Sequence, residues 1–155
     1  MHENNQRNSA VHGAQNEHAQ TNESPRKGKP VSDLPFIADV RNAARCNNAY
    51  RTVFWTGQHL QAALMCIPPR GEVGLEVHKD ADQILFVEQG NGMAYMGSCK
   101  DRLNVCRPVC AGTAVFVPCG TWHNVCNTGS CSMKLVSMYA PPQHPRGAVE
   151  CCPSD

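Results

Sequence analysis

Four side chains in two short stretches have the types and spacing to hold a metal ion. Residues 71–90 read GEVGLEVHKDADQILFVEQG and supply Glu76, His78 and Gln83; residues 112–127 read GTAVFVPCGTWHNVCN and supply His123. Glu76 and His78 are two apart, so an extended strand turns both to one face, with apolar Leu75 and Val77 on the other. A carboxylate and an imidazole on a buried face are costly unless something binds them. Taken singly, each residue has a plainer reading. His78 could be a surface or satisfied core histidine, Glu76 a solvated strand face, Gln83 a strand-end residue, and His123 a packing partner of Trp122. Jointly they offer two oxygen and two nitrogen donors to one divalent ion. That set suits zinc, manganese, iron or nickel, and no thiolate is present in it to choose among them.

The elements that must position these groups are strands. The polar turn Lys79-Asp80-Ala81-Asp82 separates an expected strand at 73–78 from another at 83–89. If the second returns antiparallel beside the first, Gln83 lands near Glu76 and His78, and Leu85 and Val87 line an apolar wall on Gln83's face. His123 follows the Pro118-Cys119-Gly120 turn at the start of a further strand. Tight turns fix strand register, as a site with metal–ligand bonds of about 2 Å requires.

Other expected strands are 51–55, 59–67, 92–96, 113–117, 122–127 and 132–139, separated by Gly57, Pro68-Pro69-Arg70-Gly71, Gly90-Asn91-Gly92, Pro118-Cys119-Gly120 and Thr128-Gly129. Only Asp39 to Asn48, containing Ala43 and Ala44, has a helical pattern. The fold class is therefore all-β, a sandwich or barrel, and not a doubly wound α/β sheet. The length of 155 residues supports one domain with tails. The barrel is expected over 50–145, an anchoring segment with Leu34-Pro35-Phe36 and the short helix over 33–49, and a C-terminal tail over 146–155. Residues 1–32 have only Val11 and Val31 as sizeable apolar side chains and read as a disordered tail, with His2, His12 and His18 solvated.

The net charge of +1 gives no electrostatic footprint for nucleic acid or an anionic membrane. No apolar run approaches the roughly 20 residues of a membrane span. The first residues, MHENNQRNSAVHGAQ, have no apolar core of a secretory signal, so the expected location is cytoplasmic. In that setting the ten cysteines read as free thiols, with Cys66, Cys126 and Cys131 packed among apolar strand residues as small hydrophobes.

The two segments resemble the two cupin motifs. The second fits G-x5-P-x-G-x2-H-x3-N at Gly112, Pro118, Gly120, His123 and Asn127. The first, which in most members reads H-x-H-x(3,4)-E-x6-G, is here Glu76-x-His78-x4-Gln83-x6-Gly90. Spacing is kept while two ligand identities change: the carboxylate stands in the first ligand position and an amide in the usual carboxylate position. The shell keeps one negative charge, so with a divalent ion its net charge equals that of three histidines and one glutamate. The resemblance covers roughly residues 50–145 and implies a jelly-roll barrel enclosing one divalent metal ion (Zn, Mn, Fe or Ni), commonly as a homodimer.

The reaction is less specified, because one fold hosts many chemistries. The inventory of one Gln, one Glu and two His is similar to the zinc site of mannose-6-phosphate isomerases, also cupins, with Gln and Glu transposed. EVHKDAD is similar to their ligand segment, whereas only Lys79, Arg70 and Arg146 are at hand for a phosphate. The resemblance thus implies Lewis-acid chemistry on a carbohydrate-like small molecule, of the sugar or sugar-phosphate isomerase kind. An O2-dependent dioxygenase and a non-catalytic metal- or ligand-binding cupin are the alternatives. An isomerase needs a base to move a proton, and the candidates are His59, ahead of an alternating strand, Glu88, Asp82, and His144, in a PPQHPRG stretch able to fold over the barrel mouth. Glu88 has the wrong parity to share Gln83's face.

Overall fold

The computed structural model describes residue 35 and residues 37–153. In chain order these form α1 (Val40–Cys46), β1 (Arg51–Thr56), β2 (Gln61–Ile67), β3 (Asp82–Gln89), β4 (Asn91–Gly97), β5 (Val105–Cys110), β6 (Ala114–Val117), β7 (Trp122–Asn127), β8 (Met133–Ala140) and β9 (Val149–Glu150). One sheet has the order β6-β3-β8-β2-β1-β9 and the other β5-β4-β7. Every ladder is antiparallel. This is the expected all-β jelly-roll barrel.

Side-chain alternation makes the barrel wall. Along β3, Gln83, Leu85 and Val87 are buried, while Ile84, Phe86 and Glu88 between them are less so. Leu85 and Val87 join Met65, Ile67, Val125, Met133 and Leu135 in the core between the sheets. Glu88 pairs with Arg41 at 3.4 Å, away from Gln83's face. The helix starts where Asp39 accepts a hydrogen bond from the Asn42 amide at 3.0 Å. Its Ala43 and Ala44 pack with Phe54, Leu64 and Val136 on the outer side of the large sheet.

The structure differs from the expected elements in five places. Residues 73–78 are not a regular strand: this stretch meets β7 through isolated bridges, Glu72 with Cys126 and Glu76 with His123, and through the Val73 amide donating to the Val125 carbonyl at 2.9 Å. Gly74 at φ +93° breaks the run, a conformation that L side chains avoid. The Gln83 strand does not return beside this segment. It lies in the opposite sheet between β6 and β8, so Gln83 meets Glu76 across the barrel interior. The 105–110 strand, not expected from the sequence, shows no alternation because it is an edge with one buried residue, Val109, and carries Pro108. Finally, Val149 and Glu150, expected in the tail, pair with Thr52 and Arg51. The strand expected from residue 59 begins at Gln61. The expected disordered tail over 1–32, and Leu34 and Phe36 of the anchoring segment, lie outside the described residues.

Candidate metal centre

Glu76, His78 and His123 come together with their donor atoms all within 4.8 Å of one another. The Glu76 Oε1 lies 3.2 Å from His123 Nε2 and 3.5 Å from His78 Nε2. Backbone bonds hold the three in place. The Glu76 and His123 amides donate to each other's carbonyls at 3.0 and 2.9 Å, and the Gly120 amide donates to the His78 carbonyl at 2.7 Å. Gly120 has φ +74°, which lets the Pro118–Thr121 turn close against the His78 segment just before His123. The Asp82 carboxylate caps the same turn by accepting from the Cys119 amide at 2.9 Å. Each motif segment therefore positions the other.

The donors are arranged for a cation. His123 Nδ1 is 2.9 Å from the Thr121 carbonyl, which can only accept, so Nδ1 carries the hydrogen. In the neutral ring, Nε2 then turns a lone pair towards the Glu76 carboxylate. His78 Nε2 is buried with no hydrogen-bond partner. Burial pushes the Glu76 carboxyl up, but the imidazoles of His123 and His78 outweigh it and hold the group well below the usual carboxylate range. One carboxylate oxygen this close to two imidazole nitrogens can share a proton with them or, with both rings neutral, join them in holding a small divalent cation. Fixing His123 through Nδ1 to a backbone carbonyl is the usual outer support of a metal-binding histidine.

Gln83 reaches this cluster by a different atom from the one expected. It is 1% exposed, and its amide nitrogen donates to Ser137 Oγ at 2.9 Å and lies 3.5 Å from Glu76 Oε1. Its carbonyl oxygen is buried without a partner. Of the two histidine base candidates, His59 is exposed in the turn between β1 and β2, and no contact joins it to the cluster. His144 is brought close: its ring stands edge-on to Tyr139 at 5.0 Å, and Tyr139 stands edge-on to His78 at 5.4 Å. The backbone at 143–144 is held by Gln61, whose oxygen accepts from both amides and whose nitrogen donates to the His144 carbonyl.

Sequence reasoning missed Arg51, Gln61, Tyr139 and Glu150. Arg51 is buried, with Nη1 2.6 Å from Glu150 Oε2 and Nη2 3.9 Å from Glu76 Oε2. Burial of an arginine at a strand start has no local signature. Its partner, 99 residues away, sat in an expected tail. The cysteines are free and most are exposed, Cys131 and Cys119 among them, so Cys131 is not the packed residue expected. An apolar groove of about 450 Å³ lies outside the large sheet between α1 and residues such as Trp55 and Phe86, and none of the cluster residues lines it. No helix among the described residues is long and apolar enough to cross a membrane.

Comparison with known proteins agrees with this architecture. The cupin domain matches residues 63–139. The uncharacterized protein YrkC of Bacillus subtilis (strain 168) is 47% identical over 121 residues, spanning 78% of this chain and 65% of YrkC. The uncharacterized protein L612 of Acanthamoeba polyphaga mimivirus is 33% identical over 116 residues, spanning 74% of this chain and 71% of its own length. The crystal structure of BH2720 from Bacillus halodurans superposes with a TM-score of 0.75 at 45% identity, covering 76% of this chain and 89% of that one. The chain belongs to the cupin family.

Proposed function

We propose that this cupin is a metalloenzyme that holds one divalent ion through Glu76, His78 and His123, with the Gln83 carbonyl oxygen as fourth donor. The observation that carries the reading is the Glu76 carboxylate oxygen set 3.2 and 3.5 Å from two imidazole nitrogens, with the three donor atoms all within 4.8 Å of one another. The buried, unpartnered Gln83 oxygen supports its place in the shell, since rotation of the terminal amide exchanges its two ends. Bound there, the ion supplies Lewis-acid polarisation of a carbonyl or hydroxyl oxygen.

The surrounding residues fit an isomerase-like reaction on a carbohydrate-like hydroxycarbonyl compound. Burial, then the Arg51 charge, pushes the His144 pKa down, so its ring is a neutral proton acceptor near pH 7. His144 Nε2 is buried and unpartnered, and Gln61 fixes the backbone that carries the ring. His144 is thus the proton-moving group, and His59 has no part. The test is elemental analysis of protein purified without added metal, followed by assays for aldose–ketose interconversion. A full divalent site, with turnover lost in His144→Ala but not in His59→Ala, is the expected result. Oxygen uptake with a hydroxylated aromatic would replace the isomerase reading with the dioxygenase one. A loaded protein without turnover would leave metal-dependent binding as the function.

A further inference from the structure

Arg51 is buried beside the Glu76 cluster. Its side chain is 6% exposed and its Nε is buried without a partner. A guanidinium taken out of water needs matched acceptors on its fork, and Arg51 has one close carboxylate, Glu150. The Glu76 oxygen at 3.9 Å is a longer contact and belongs to the metal cluster. The Tyr50 ring, 5.1 Å from the guanidinium carbon, supplies a weaker attraction.

Glu150 is the more exposed partner of this pair. Its side chain is 24% exposed, it comes from the two-residue β9, and its other oxygen is only 3.8 Å from His144 Nδ1. The strand is held by backbone pairing of Val149 and Glu150 with β1 and by the Val53 amide donating to the Ala148 carbonyl. The carboxylate can therefore swing away while the backbone stays. Charge favours a replacement. With a divalent ion beside Glu76, the ion, Glu76, Arg51 and Glu150 leave one net positive charge, and two once Glu150 turns out. Buried atoms without a hydrogen-bond partner sit on side chains that contact the cluster or one another: Arg51 Nε, Gln83 Oε1, the Tyr139 hydroxyl and His144 Nε2.

We infer that Arg51 is the anchor for a small carboxylate ligand of this site, and that Glu150 occupies the anchor as a tethered stand-in that the ligand displaces. The inference rests on the metal reading for the ligand's second point of attachment and narrows the substrate class to a hydroxy- or keto-carboxylate. The carboxylate takes Arg51 and the neighbouring hydroxyl or carbonyl oxygen faces the Glu76 cluster. Arg51 is a binding and specificity residue, and Glu150 sets how tightly the ligand must bind to enter.

The experiment is calorimetric titration of the full-length, zinc-loaded protein and its variants with glycolate, and separately with inorganic phosphate, after the metal content of each sample is measured. Removing the tethered competitor in Glu150→Gln, which keeps the β9 backbone, tightens glycolate binding about tenfold, the scale of one charge-assisted contact. Arg51→Gln weakens it by about tenfold or more, and Arg51→Lys, which folds with the charge kept but the fork lost, falls between Arg51→Gln and the parent. Equal glycolate affinity in parent and Glu150→Gln overturns the proposal, as does parental affinity in both Arg51 variants. A gain for phosphate without a gain for glycolate overturns the carboxylate assignment. If the parent retains no metal, the metal reading fails on that measurement alone, and the same parent-to-Glu150→Gln comparison in metal-free protein still decides the role of Arg51.

Discussion

Two buried amides at different points of the barrel, Asn127 and Gln83, face opposite demands. Both are 2% exposed or less. The Asn127 nitrogen donates to the carbonyls of Ile67, Pro68 and Cys131, and its oxygen accepts from the Gly129 amide at 2.9 Å. Its hydrogen-bonding capacity is used on the backbone, tying β2, β7 and the turn before β8. Gln83 spends its nitrogen on Ser137 and Glu76 and leaves its oxygen bare, among other bare atoms on Arg51, His78, Tyr139 and His144. Buried polar groups in folded proteins are almost always satisfied. A saturated amide therefore marks a structural clamp, and a cluster of unsaturated groups marks a place built for something else to occupy. Both residues belong to the cupin motif pattern, and only their surroundings tell their roles apart.

The sharpest way to break this contrast is at the metal. His123→Ala should lower divalent-metal affinity by more than about a hundredfold, beyond the usual cost of losing an outer-shell partner, as read by competition with a chelator. Full metal retention would dismiss the cluster as a site. Asn127→Ala should do the converse. With three carbonyls left unsatisfied, unfolding in urea should fall by roughly 3 kcal/mol or more, while the folded fraction binds metal as before. A stability change of a few tenths would mean the saturated amide is dispensable. Loading the parent with metal at about a hundred times its dissociation constant should raise unfolding stability by about 2.7 kcal/mol, an increment His123→Ala should lack.

Gln83→Leu should separate the two roles within one residue. Replacing a half-satisfied amide by an apolar group of similar size should change metal-free stability by no more than about 1 kcal/mol, yet weaken metal binding roughly tenfold. A large stability loss with unchanged affinity would move Gln83 into the clamp class.

The smallest effect concerns a thiol. Burial, then the hydrogen bond to Glu72 and its negative charge, raises the Cys126 pKa to about 11. A raised pKa means less thiolate, so alkylation at pH 8 should reach exposed Cys119 well before Cys126, with the gap closing towards pH 11. Equal rates at pH 8 would show that the Glu72 contact does not protect the sulfur.

The local signals were those that depend on neighbours in the chain. Alternation, turn residues and motif spacing gave the all-β class, most of the strands, the short helix and the meeting of Glu76, His78 and His123, because backbone period and turn geometry are encoded within a few residues. Two strands were hidden, one by its exposed edge and Pro108, the other by having only two residues.

What the tertiary structure alone decided lies across the barrel. It put Gln83 in the opposite sheet from Glu76, turned the Gln83 nitrogen and not its oxygen to the carboxylate, and set Gln61 against the His144 backbone. It also joined Arg51 to Glu150, 99 positions apart. The amino-acid sequence determined which donors exist and on which strand faces they stand. Which of them are left unsatisfied was fixed only by packing, because a hydrogen bond or its absence depends on every group that folding brings within about 3 Å.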